Sequence, residues 1–150
     1  MLHGSLIMNV RIKKLDVDAK TPTYASDGAG CFDLYALHRA GVNEFRPQII
    51  DTGIAFEIPP GYAMFVFSRS GHGFNHDVRL ANCVGVIDSD YRGSVKVKLT
   101  ADPGSGLFVE SGDRIAQAAI LPLPSIRFEE VEALSETARG ANGFGSTSGG

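Results

Sequence analysis

Two stretches of this sequence carry side chains whose types and spacing could do chemistry on an anion. Arg69-Ser70-Gly71 offers, in consecutive positions, a guanidinium, a hydroxyl and an unhindered backbone N–H. Together these make a grip for an anionic group. Gly85-Val86-Ile87-Asp88-Ser89-Asp90-Tyr91-Arg92-Gly93 places carboxylates in a Ser/Gly-rich turn. Such Asp- and Ser-bearing turns are common and also form with no chemistry attached. Asp33 lies between Phe32 and Leu34; as a strand residue it faces either solvent or a site, and both readings stand. His72 and His76 are four apart, but the intervening glycines predict a loop over 72–77 rather than a helix, which argues against a metal pair.

The elements that must position these residues read as strands. Leu80-Ala81-Asn82-Cys83-Val84 is an apolar run with one amide, and Val95, Val97 and Leu99 alternate with Lys96 and Lys98. That is the period of a half-buried strand, so 80–99 predicts a β-hairpin with the Asp/Ser/Gly segment as its connection. Earlier, Val10-Arg11-Ile12 begins an alternating strand, interrupted by turn chemistry at Thr21-Pro22-Thr23-Tyr24. Asp27 to Ala36 leads into a second strand. Ile49 to Ile58 reads as one long β pattern ended by Pro59-Pro60-Gly61, and Tyr62 to Phe67 as a core strand that delivers Ser68 and Arg69. Downstream, 102–106 is a turn, Ile115 to Pro122 a strand interrupted by Gln117, and Ile126 to Val131 a candidate last strand. Short strands with Gly/Pro turns and no long amphipathic helix predict an all-β sandwich or barrel.

Bulk properties narrow the function. The 150 residues fit one domain with a real core. A hydrophobic content of 43% with 21% charged residues is ordinary for a globular protein. The net charge of -3 gives no bias toward polyanions, so nucleic acid is not an expected partner. Cys31 and Cys83 match neither a zinc site nor a disulfide framework, which fits a reducing, cytoplasmic compartment. The opening residues form no signal peptide and no stretch reaches the length of a membrane span. Residues 1–7 read as an N-terminal extension, with Met8 as an alternative start. The Gly/Ser-rich end from Arg139 to Gly150 contains no Lys and is not a Walker-type phosphate loop; by composition alone it is a disordered tail.

Five separated motifs, in order, change that picture. They are Ala29 through Ala36, Arg69-Ser70-Gly71, Asn82 through Gly93, Gly112 through Gln117, and Arg139 through Thr147. In this order and spacing they closely resemble the trimeric dUTPases, which split dUTP into dUMP and pyrophosphate, keeping uracil out of DNA and supplying dUMP for thymidylate synthesis. The resemblance covers nearly the whole chain from Met8. Two departures stand out: Cys31 and Phe32 between Gly30 and Asp33, where many members have one residue, and Asn75 in place of a frequent basic residue.

The resemblance implies a jelly-roll-like protomer over residues 8–138, a C-terminal arm over 139–150, and a homotrimer whose active sites lie at subunit boundaries. Asp88 would be the general base for water attack on the α-phosphorus. The main chain of the hairpin, including Val86 and Ile87, and the Asn82 amide would meet the uracil edge. Tyr91 would pack under the sugar and reject a 2′-hydroxyl, since steric exclusion discriminates strongly. Arg69, Ser70, Gly71 and Gln117 would hold phosphates, with Lys96 also in the binding set. Arg139 would meet the γ-phosphate; Phe144 would stack on uracil, and Gly145, Ser146 and Thr147 would complete the arm's contacts. Mg²⁺ would ride on the triphosphate's own oxygens, in keeping with its reluctance to dehydrate, leaving Asp33 an outer-shell or structural partner. A dCTP deaminase shares the fold family, but the intact hairpin and Phe-bearing arm resemble the dUTP-hydrolysing branch. A nucleotide-gated regulatory protein on the same scaffold is the other alternative.

Overall fold

The structure is a computed structural model in which residues 7–143 are described. Twelve strands and one short helix follow in order: β1 (Arg11–Lys14), β2 (Thr23–Tyr24), β3 (Phe32–Tyr35), β4 (Ala40–Asn43), β5 (Gln48–Asp51), β6 (Ile54–Glu57), β7 (Tyr62–Phe67), α1 (Ser70–His76), β8 (Val78–Leu80), β9 (Gly85–Ile87), β10 (Lys96–Ala101), β11 (Gly106–Val109) and β12 (Arg114–Pro122). Every strand pairing is antiparallel. A five-stranded sheet runs β2-β3-β12-β7-β9 and a three-stranded sheet β5-β10-β8; two strand pairs, β1-β6 and β4-β11, complete the β framework. The all-β expectation therefore holds.

The core lies between these sheets. Leu34, Met64, Ala116 and Ala118 come from the larger sheet, and Ile50, Leu80, Val97 and Leu99 from the smaller. Strand β10 shows the period-two rule directly: Val97, Leu99 and Ala101 are buried while Lys96 and Lys98 are exposed.

Several local expectations change. The 80–99 segment is not a simple hairpin. Leu80 does pair with Leu99, but β9 leaves for the other sheet and pairs with β7 instead, so the Gly85–Gly93 stretch bridges the two layers. The long β pattern from Ile49 to Ile58 breaks at Thr52 and Gly53. Gly53 has φ +67°, and a Cβ there would come within 2.9 Å of the Ala19 methyl, so the chain turns sharply where only glycine fits. Thr23 and Tyr24, read as turn, form a short strand on β3. Strands β4 and β11, not singled out in the sequence, pair with each other.

Residues 70–76 are helical despite Gly71 and Gly73. Both His72 N–H and Gly73 N–H donate to the Arg69 carbonyl, and Asp77 closes the other end in the left-handed region at φ 50° with its N–H on the His72 carbonyl. Helix α1 packs beside β8, a tertiary contact that overrides weak propensity. Ile126 to Val131 is no strand: no described residue beyond Pro122 belongs to one. Ile126 and Phe128 project into solvent instead.

Candidate active site

Strand β7 organises the first half of the site. Its last residue, Phe67, stands opposite Gln117 of β12, and Gln117 Nε2 donates to the Ser68 carbonyl at 2.9 Å. Ser68 Oγ in turn accepts the Leu80 N–H at 2.9 Å. The exit from β7 is thereby tied to both sheets, and Arg69 follows at the N-cap of α1. Ser70 and Gly71 occupy the first helical turn, whose amide N–H groups lack intrahelical acceptors.

Asp33 resolves inward. It is 7% exposed, with Oδ1 3.4 Å from Arg69 Nε and Oδ2 3.5 Å from Arg114 Nη1. The reason lies in β12. Gln117 stands opposite Asp33 and Arg114 opposite Tyr35, with an irregularity between Arg114 and Ala116. Asp33 and Tyr35 are two apart and share a face, so this β-bulge brings Arg114 and Gln117, three apart, to that same face. Arg69 is further held by donating from Nη1 to the Arg114 carbonyl at 3.4 Å. Arg69, His72, His76, Phe108, Asp113 and Arg114 line a cleft of about 360 Å³, rich in cationic and imidazole groups. Arg114 was not among the expected site residues, and a strict period-two reading of β12 would have placed it on the wrong face.

The second half is a separate pocket of about 240 Å³, lined by Val86, Ile87, Asp88, Tyr91, Ser94, Val95 and Lys96. Its floor is fixed by the chain turn at Asp51-Thr52-Gly53. The Thr52 hydroxyl donates to the Val95 carbonyl at 2.7 Å, Val95 N–H returns to the Ile54 carbonyl at 2.9 Å, and Ser94 Oγ donates to Asp51. Burial pushes the Asp51 carboxyl up, but Ser94, the Gly53 N–H and Lys96 together hold it below the usual carboxylate range. Lys96 Nζ is 3.6 Å from Asp51 Oδ2, so its charge is already engaged at the pocket wall. Tyr91 donates to the Ser94 carbonyl at 3.1 Å and lies directly over Gly93, where an added Cβ would be 2.4 Å from its hydroxyl. Asp88 is exposed at the pocket. Asn82 is exposed in the turn before β9 and does not line the pocket.

Among the described residues the two halves are separate pockets. They share no lining residue. Ile87 stands opposite Met64, whereas Arg69 lies beyond Phe67 at the other end of β7; Met64 to Phe67 alone spans about 10 Å at the ordinary strand rise.

A profile of the dUTPase family matches residues 17–148. This chain belongs to the dUTPase family. It is 42% identical over 140 residues to the deoxyuridine 5'-triphosphate nucleotidohydrolase of Nautilia profundicola, covering 93% of this chain and 99% of that protein. Its fold matches that of a Staphylococcus bacteriophage 80alpha dUTPase mutant with dUpNHpp, at a TM-score of 0.84 and 23% identity over 93% of this chain and 98% of the other. A mutant dUTPase of the S. aureus phage phi11, described for its coordination of a structural Mg(II) ion, matches at a TM-score of 0.75 and 18% identity, covering 84% and 98%.

Among the described residues of this dUTPase, no three His, Cys, Asp or Glu side chains gather as a metal cluster. Both oxygens of Asp33 face arginines, so it does not fit a role as cation ligand. No helix among them is long and apolar enough to cross a membrane. Arg69 and Arg114 line one cleft, with Asp33 paired to both and Gln117 bonded to the Ser68 carbonyl behind it, and Val86, Ile87, Asp88, Tyr91 and Lys96 line the other. Arg139 donates from Nε to the Asn142 carbonyl at 2.8 Å within an exposed turn, away from both. Phe144, Gly145, Ser146 and Thr147 lie outside the described residues.

Proposed function

We propose that the site of this enzyme is completed by three copies of the chain, each contributing a different part. The reaction is hydrolysis of dUTP to dUMP. The observation that carries the shared-site reading is the separation of the Asp88 pocket from the Arg69 cleft on a single protomer. On this reading a deoxynucleoside triphosphate seated by its base at one reaches the other cleft on a neighbouring copy. A second feature supports it. From Leu123 to Asn142 the chain is exposed throughout, with Phe128 93% and Leu134 86% exposed, a mixed strap whose apolar side chains are suited to packing on another copy.

In this reading the β9 main chain presents donors and acceptors to the uracil edge, and Tyr91 closes the sugar side. Asp88 orients and deprotonates the water that attacks the α-phosphorus, releasing pyrophosphate. Arg69, the Ser70 hydroxyl and the amide N–H groups of residues 70 and 71 from a second copy hold the phosphates; Gln117 acts by fixing Ser68. The third copy brings Arg139 and the segment beyond it. Phosphoryl transfer depends chiefly on such positioning and charge neutralisation. This cationic donor set suits a triphosphate that would bring its own Mg²⁺, which would add charge neutralisation.

The test is complementation. Light scattering should give three times the 16.0 kDa protomer mass. Mixing Asp88→Asn chains with chains cut before Arg139, each inactive alone, should restore part of the activity. A fully active monomer, or no recovery in mixed trimers, would sink the shared site.

A further inference from the structure

His72 is among the cleft side chains to which phosphate binding by Arg69 assigns no part. His72 Nε2 lies 3.3 Å from Arg69 Nη1. Arginine carries donors and no acceptor, so this contact requires an unprotonated Nε2, and the neutral ring then keeps its proton on Nδ1. That Nδ1 is buried and has no hydrogen-bond partner among the described residues. The ring is therefore placed by packing in the first turns of α1, with its free lone pair turned to the guanidinium. Arg69 is consequently gripped at two atoms by three groups: Asp33 at Nε, and the Arg114 carbonyl and His72 at Nη1.

We propose that neutral His72 is a positioning residue that fixes the Arg69 guanidinium for the triphosphate, and that a proton on His72 undoes this grip. The proposal rests on the reading that Arg69 holds phosphates. Protonation would place an N–H⁺ donor against another donor, with two positive charges head to head. The charged groups facing the ring are Arg69 and His76 from the helix and its cap, and Asp113 and Arg114 from the entry to β12. Burial foremost, then Arg69 and His76, hold the imidazole below its ordinary value of 6.5; Asp113 pulls the other way and Arg114 adds to the lowering. The neutral state that the contact needs is thus the resting state at neutral pH, and acid removes it.

The experiment follows KM and kcat for dUTP from about pH 8 to about pH 5, across the imidazole range, in the wild type, His72→Gln, His72→Leu and Arg69→Gln. In the wild type KM should rise about tenfold per pH unit below the His72 pKa, because only the neutral fraction is competent to bind, with kcat moving less. Titration of the substrate's terminal phosphate is common to all four enzymes. His72→Gln keeps an acceptor but takes no proton, so its KM profile should flatten. His72→Leu should raise KM about fivefold already at neutral pH, the loss of one ordinary hydrogen bond. A glutamine variant that keeps the wild-type rise, or a folded leucine variant with wild-type KM throughout, overturns the proposal. Arg69→Gln with unchanged KM at neutral pH overturns the phosphate reading beneath it, a separate failure.

Discussion

The Asp33 carboxylate lies 3.4 Å from the Arg69 Nε with its other oxygen 3.5 Å from Arg114 Nη1. One buried acid thus orders the two arginines of this cleft. Asp33→Asn should leave both guanidiniums without a counter-charge. Breaking a buried pair costs several kcal/mol, but Arg114 is half exposed, so a loss of about 2 kcal/mol in urea unfolding is expected. KM for dUTP should rise with it. Unchanged stability and KM would show that Arg69 is held by other contacts.

Asp88→Asn removes the proton acceptor while keeping the size and hydrogen-bonding reach of the side chain. Turnover should fall by at least ~10²-fold, as for a lost general base, with dUTP binding retained by calorimetry. Near-normal turnover would reduce Asp88 to a turn former.

Gly93→Ala tests the Tyr91 seat. The new Cβ would lie 2.4 Å from the Tyr91 hydroxyl and 2.6 Å from the ring carbon bearing it, so the ring must swing out and its bond to the Ser94 carbonyl must break. Discrimination of dUTP against UTP should fall about tenfold or more, since rejection by a misfit side chain is a steric effect. The melting temperature should change little, because the residue lies near the surface. Tyr91→Phe, which keeps the ring, should preserve most of the discrimination.

Asp51 makes the Asp88 pocket acid-sensitive. Its carboxyl is held below its ordinary 3.8 by Ser94, Gly53 and Lys96 against the opposing effect of burial. The unfolded chain then binds the proton more readily than the folded one. The stability Asp51 contributes is present above pH 3.8 and is lost as pH falls through the lower folded value. Urea unfolding as a function of pH should show a shallower acid loss in Asp51→Asn than in the wild type. Identical slopes would mean the Asp51 contacts do not survive in solution.

Much of this protein is written locally. The alternation over Lys96–Ala101 announced which face of β10 would be buried, because side chains on a strand alternate with a period of two whatever the partner. Residue order also supplied the family's five motifs, and with them the family assignment. Partnership was not local. That β9 pairs with β7 while β10 pairs with β8 follows from how the two layers close on the core, and no residue between 85 and 99 encodes it. Helix α1 formed against two glycines because Asp77 closes it and β8 supports it, whereas Ile126 to Val131, with good strand residues, found no strand partner among the described residues. Asp33 and Arg114 needed the tertiary structure most: the carboxylate's face depends on which sheet covers it, and the bulge in β12 moves Arg114 to the face that a period-two count denies it.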